Sequence, residues 1–272
     1  MPPSRKPRRL PAHDPHVLYE RAVQSPHAEL GLLDRLLRRA GQPATRLRED
    51  FSGTALLSAS WVESRPDRLA VAVDLDAAVH RWAASHRLPG LGRAAARLLL
   101  VRADVRHAPR GPFHAILALN FSYQVFRERA ALKAYLASAR RSLVPGGLFM
   151  LDLFGGWLSQ QEVTERRRLG GGVTYVWEHG ACDPITHRVR CAIHFELPAG
   201  RRLHRAFTYD WRLWTLPELA DLMAEAGFDR IEVQWDVEPP GVEPRYRPRR
   251  HAANQGAWLA YLVGRRPGQT AR

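Results

Sequence analysis

The stretch Leu47-Arg-Glu-Asp-Phe-Ser-Gly-Thr-Ala-Leu-Leu57, followed by Leu69-Ala-Val-Ala-Val-Asp-Leu-Asp76, decides the fold of this chain. The first segment reads as a short strand closing on the acid Glu49, a turn of small residues, and the opening of an apolar helix. The second is a short continuous apolar run that ends in Asp74. A strand, tight turn and helix, then a second strand closing on a carboxylate, is how an open α/β sheet holds a nucleoside. Loop backbone serves at the first turn and an acid on the ribose at the second.

The same rhythm continues downstream. Strands are expected at 45–49, 69–73, 97–101, 113–120 and 148–154, with helices between them. The helix before the fifth strand presents Leu132, Tyr135, Leu136 and Leu143, and Pro145-Gly146-Gly147 ends it. Short apolar runs alternating with helices predict a parallel sheet covered on both faces. Upstream, a helical pattern covers 16–40, broken at Ser25-Pro26.

The period then changes. Val189, Cys191, Ile193, Phe195 and Leu197 alternate with polar residues, and 173–179 and 203–211 alternate likewise. A period of two means strands with one wet face, so a three-stranded antiparallel meander is expected at 172–212. Thr215-Leu-Pro-Glu218 is a capping box opening the next helix, which Gly227 ends. Strands at 231–235 and 257–263 close the pattern, with 238–252 read as a loop. The expected organisation is a basic disordered tail at 1–12, one α/β domain at 13–264, and a tail at 265–272.

Composition narrows the function. With 272 residues, 45% of them hydrophobic, the chain can bury a core. It has no apolar run of the roughly 18 residues a membrane span needs, and its N-terminus lacks the apolar region of a secretory signal. The expected location is cytoplasmic, without membrane association. The net charge of +14 is concentrated at Arg5, Lys6, Arg8 and Arg9 and at Arg245, Arg247, Arg249 and Arg250. Lysine occurs only at Lys6 and Lys133. That arginine bias, with abundant Ala and Pro, is the mark of a high-GC genome more than of a nucleic-acid groove; a nucleic-acid partner stays open but is not favoured. Cys182 and Cys191 are too few for a disulfide framework or a cysteine zinc site, and no His/Asp cluster suggests a metal.

Five strand–helix units, a further helix and a closing strand pair resemble the class I S-adenosylmethionine-dependent methyltransferases. The resemblance covers roughly 16–264. It implies a Rossmann-like, mostly parallel seven-stranded sheet with helices on both faces, here carrying the antiparallel insert. It also implies S-adenosylmethionine as cofactor. The family's first motif reads acid-x-Gly-x-Gly-x-Gly; on Glu49-Asp-Phe-Ser-Gly-Thr-Ala only the acid and Gly53 match, and Phe51 and Ala55 replace the outer glycines. Glycine there lets backbone approach the ligand, so the Phe51 ring must turn away from the pocket.

Carried over position by position, the resemblance places the cofactor on Glu49, Asp50, Ser52 and Gly53 at the first turn. Asp74 would take the ribose hydroxyls and Leu75 would lie against the adenine. Asp104 and Val105, after the third strand, would meet the adenine edge, and Asn120 would sit at the end of the fourth. The acceptor would be a small molecule held by aromatics: Tyr19 in the N-terminal helix, Tyr123 after Asn120, and Trp211 and Trp214 beyond the meander. In-line methyl transfer needs alignment more than a base. The sequence fixes no catalytic residue, because His114 reads as structural and His179, His187 and His194 read as surface residues. An RNA or protein acceptor, or nucleoside binding without catalysis, remains compatible with the same residues, and the oligomeric state is open.

Overall fold

The computed structural model describes residues 13–238 and 241–268. The tail expected at 1–12 lies outside them, as does the end of the tail expected at 265–272.

Two helices come first, α1 (Pro15–Val23) and α2 (Pro26–Arg39). Asp14 caps α1 by accepting from the His16 and Val17 amides, with Pro15 opening the first turn. The break expected at Ser25-Pro26 separates the two helices. Leu30, Leu33, Leu36 and Leu37 share the buried face of α2.

The core of the protein is a sheet whose parallel strands are β1 (Arg46–Asp50), β2 (Leu69–Asp74), β3 (Leu98–Arg102), β4 (Phe113–Ala118) and β5 (Leu143–Gly155). Between them run α3 (Leu56–Ser64), then α4 (Ala77–Trp82) continuing through a π turn into α5 (Leu88–Gly90), and α6 (Arg129–Ser142). β5 starts directly after α6, and Pro145-Gly146-Gly147 forms a bulge at its start, where the register slips between Phe113 and Ala115.

An antiparallel insert follows: β6 (Val163–Gly170), β7 (Val173–His179), β8 (Arg188–Glu196) and β9 (Arg202–Arg212). It has one strand more than the expected three. β6, Val-Thr-Glu-Arg-Arg-Arg-Leu-Gly, is an edge strand that is wet on both faces, so it shows no period of two. Helix α7 (Leu216–Glu225) has the capping box in both halves: Glu218 N–H donates to Thr215 Oγ1 at 3.3 Å, and Thr215 N–H donates to Glu218 Oε2 at 2.8 Å.

The last strands, β10 (Asp229–Asp236), β11 (Tyr246–Arg249) and β12 (Trp258–Arg265), complete the large sheet in the order β11-β10-β12-β5-β4-β1-β2-β3. Among the described residues the sheet therefore has eight strands where seven were expected. The extra one, β11, lies in the segment read as a loop; Pro248 and its arginines disguise it, and it is an edge strand, where proline is tolerated. α2 and α3 pack on one face and α6 and α7 on the other, as the continuous apolar strands require. β1 connects to β2 on one side while β4 lies on its other side, so the strand order reverses between β1 and β4, where ligands bind in open sheets of this kind.

Candidate active site

The loop after β1 sets the site. Phe51, Gly53 and Ala55, the three positions of the glycine pattern, all have left-handed backbone, with φ of 56°, 52° and 57°. The loop thus keeps the glycine conformation where two glycines are missing, at a cost on the order of 1 kcal/mol for each such residue. The Phe51 ring meets Phe126 and Tyr135 edge-on at 6.0 and 5.8 Å between centroids, yet Phe51 stays in the wall of the larger cavity at the strand ends rather than turning away from it. Asp74 fastens the loop: its Oδ2 accepts from the Gly53 N–H at 2.8 Å and its Oδ1 from the Asp76 N–H at 2.9 Å.

Two cavities open at the carboxyl ends of the parallel strands. The larger, about 660 Å³, is lined by Phe51, Asp74, Leu75, Asp104, Val105 and Phe126, among others. Asp74, Leu75, Asp104 and Val105 are therefore brought together. Leu75 is 63% exposed and offers an apolar surface, whereas the Asp104 carboxylate is paired with Arg106 at 2.6 Å, which holds its pKa low. The second cavity, about 250 Å³, lies beneath the insert, with Tyr19, Asn120, Phe121, Tyr175, Tyr209 and Trp211 in its wall. Tyr19 packs on Phe207 at 4.9 Å between ring centroids.

Other expected site residues are placed elsewhere. Glu49 and Asp50 are adjacent in a strand and so face opposite sides of the sheet. Asp50 is buried against the core, with its Oδ2 accepting from Arg48 and from the Tyr135 hydroxyl, both at 2.9 Å. It holds a buried arginine rather than facing either cavity. Ser52 is buried, and its backbone ties the turn to Val73 and Ala55. Tyr123 and Trp214 lie in the core on the α6 side; the Trp214 indole donates to the Phe126 carbonyl at 3.0 Å. Their apolar bodies complete a helix–sheet core, which outweighs their reading as acceptor contacts.

Phe121, Asp152 and Glu29, which the pattern did not single out, join Asn120 and Glu49, which it did. Asn120 and Phe121 are consecutive left-handed residues, φ 57° and 58°, and both of their N–H groups donate to Asp152 at 2.9 Å. Asp152 is an acid inside the apolar run Leu148-Phe-Met-Leu-Asp-Leu-Phe154, a visible anomaly. Glu49, Asp152 and Glu29 of α2 are all buried, and desolvation pushes their pKa values up to about 7, 7 and 8. Glu49 accepts from Ser58 through its amide and hydroxyl. Among the described residues Glu29 has no hydrogen bond or cation to offset its burial, and Asp152 and Glu49 raise its pKa further. The histidines differ from expectation as well. His114 does serve structure, accepting from the Arg46 N–H at 3.1 Å, but His179 and His194 are buried, not on the surface. Among the described residues no helix is long and apolar enough to cross a membrane, and no group of His, Cys, Asp and Glu is arranged to hold a metal.

No family model matches the chain. A malonyl-[acyl-carrier protein] O-methyltransferase of Geobacter sulfurreducens is 29% identical over 203 residues, covering 74% of this chain. The chain matches 62% of the length of that relative. Among solved structures, an S-adenosylmethionine-dependent methyltransferase from Clostridium acetobutylicum superposes with a TM-score of 0.68 at 15% identity, over 93% of this chain and 97% of that one. An amino pentose methyltransferase from Micromonospora echinaspora, solved with S-adenosylmethionine bound, gives 0.67 at 19% identity over 95% and 99%. The chain has the Rossmann-like fold of the class I S-adenosylmethionine-dependent methyltransferases.

Proposed function

We propose that the chain is an S-adenosylmethionine-dependent methyltransferase acting on a small-molecule acceptor. The observation that carries this reading is the pair of cavities that open at the strand ends, one with a ribose-type carboxylate and apolar walls, the other lined by aromatics. The relative and the solved neighbours are methyltransferases, which supports the same reaction class.

The residues present fit the cofactor. Asp74 retains lone pairs beyond its two backbone bonds for vicinal hydroxyls. Leu75 and Val105 supply apolar surface for a purine, and the left-handed loop exposes backbone at Gly53, where no atom lies within 4 Å of an added Cβ. When bound, S-adenosylmethionine supplies a sulfonium-activated methyl group. The chain's part is to orient the acceptor against it and exclude water, from which most of the rate gain of such a displacement can come. Tyr19 and Trp211 wall the acceptor side, and Asn120 stands at the edge shared with β4. A neutral amine acceptor would need no base.

Calorimetry with S-adenosylmethionine and S-adenosylhomocysteine tests the reading. Micromolar binding is expected, with methyl transfer to members of a small-molecule acceptor panel. Absence of binding to any adenosyl ligand overturns it.

A further inference from the structure

Helix α1 lies between the insert and the sheet and is tied to both. Towards the insert, Leu18 and Ala22 pack with Val173, Ile193 and Phe195. Arg21 donates to the Leu169 carbonyl at 2.7 Å, and Arg167 of β6 donates back to the Ala22 carbonyl. These reciprocal ties bind α1 to the insert, and the helix carries Tyr19 and Val23 into the wall of the acceptor cavity. Towards the sheet, the Trp82 indole donates to Asp14 Oδ2 at 3.2 Å and Arg87 pairs with Glu20.

Arg87 is the last residue of the π turn between α4 and α5. Such turns are rare and concentrate at functional positions. Its guanidinium works in two directions: one Nη donates to Glu20 Oε1, and Nε donates to the Thr54 carbonyl at 3.4 Å. Thr54 stands between the left-handed residues Gly53 and Ala55, in the loop that Asp74 fastens. At 3.4 Å the second bond is at the long end for N–H···O, so a small movement of the loop strengthens or loses it. The Glu20–Arg87 pair is largely shielded, its side chains 13% and 19% exposed, and so is screened less than a surface pair.

We propose that Arg87 is a positioning residue that couples the two cavities. A cofactor that orders the loop at Gly53 sets the Thr54 carbonyl against Arg87, and the guanidinium in turn pins Glu20 and holds α1, with Tyr19, over the acceptor cavity. This rests on the cofactor reading above and adds to it that the acceptor wall takes its working position only once the cofactor is in place. The cofactor shifts α1 because it binds the pinned arrangement better than the loose one. Arginine suits the position, since a planar guanidinium reaches two partners with two nitrogens. A lysine ammonium is a point charge that keeps Glu20 and gives up Thr54.

Hydrogen exchange of the full chain, with and without S-adenosylhomocysteine, tests this, with calorimetry in parallel. The ligand is expected to slow exchange of the α1 amides about ten-fold beyond any change in α7, which lines neither cavity. In Arg87→Lys and in Glu20→Gln that extra protection should disappear, and affinity should fall by no more than the same factor, because coupling is reciprocal. Binding without extra protection of α1 in the wild type, or protection kept in either variant, overturns the coupling. A larger loss of affinity in Arg87→Lys also overturns it, since Arg87 would then belong to the cofactor site itself. No calorimetric binding of S-adenosylhomocysteine brings down the methyltransferase reading and this proposal with it, an outcome distinct from binding that leaves α1 indifferent.

Discussion

The Asp74 carboxylate accepts the Gly53 N–H at 2.8 Å, so the acid that ends β2 also holds the loop that ends β1. Neighbouring parallel strands are thereby locked at the point where a nucleoside would lie. Desolvation raises the Asp74 pKa, and its bonds to the Gly53 and Asp76 amides work against that shift. Those backbone donors favour its charged form against burial, and the carboxylate has acceptor capacity to spare.

Asp74→Ala is expected to weaken S-adenosylmethionine binding by about ten-fold or more, the loss of one charge-assisted pair. Because the loop loses its fastening as well, Asp74→Asn should fall between wild type and Ala, since an amide oxygen can still accept from Gly53. Calorimetric dissociation constants for the two variants check this; equal affinity in Asp74→Ala and wild type removes Asp74 from the site.

Asp50 should behave in the opposite way. Arg48 and Asp50 are both fully buried as side chains, with Arg48 Nε 2.9 Å from Asp50 Oδ1. Removing one partner strands the other charge in the core, which typically costs about 3–5 kcal/mol. Asp50→Ala is expected to lower the denaturation midpoint by that scale in urea, while the variant still bound and folded at low temperature keeps its affinity for S-adenosylhomocysteine within about three-fold. A large loss of affinity with unchanged stability would return Asp50 to the cofactor site.

Cysteine accessibility gives a simple check on the insert. Cys191 is 2% exposed and burial pushes its thiol up to about 12, whereas Cys182 is only partly buried and its pKa rises less. Iodoacetamide on the folded chain at neutral pH should label Cys182 first and Cys191 only on unfolding. Equal labelling of both by peptide mass mapping contradicts the burial of β8.

Much of this architecture is legible because parallel, doubly covered strands leave continuous apolar runs. β1 is the instructive exception. Its Arg-Leu-Arg-Glu-Asp looks poor for a central strand, yet Arg48 is buried against Asp50 and Tyr135, and Glu49 against Ser58. Alternation puts these two sets on opposite faces, and only long-range partners make such burial tolerable; no local pattern announces Tyr135. β6 and β11 escape for the reverse reason: edge strands need no apolar face. In the site, the acids at strand ends are readable from spacing, whereas Glu29 and Asp152 become visible only once α2 lies over the sheet and Asp152 caps the Asn120 turn.

Those buried acids make stability fall with pH. Glu29, Glu49 and Asp152 have folded pKa values of about 8, 7 and 7, above their ordinary 4.5, 4.5 and 3.8. The folded chain therefore holds protons that the unfolded chain has released, so the stabilisation present below the ordinary values is lost as pH rises through the folded ones. Histidines whose pKa is lowered, such as His179, work in the other sense, but only below about 6.5. Between about pH 6.5 and 8 the carboxylates decide, and the melting temperature of the ligand-free protein is expected to fall. Glu29→Gln should raise it at pH 8 by about 2–4 °C, the scale of about 1 kcal/mol in a chain of this size, and should flatten the slope. A melting temperature that rises from pH 6.5 to 8, or one that Glu29→Gln lowers at pH 8, would show that these carboxylates are not held protonated by burial.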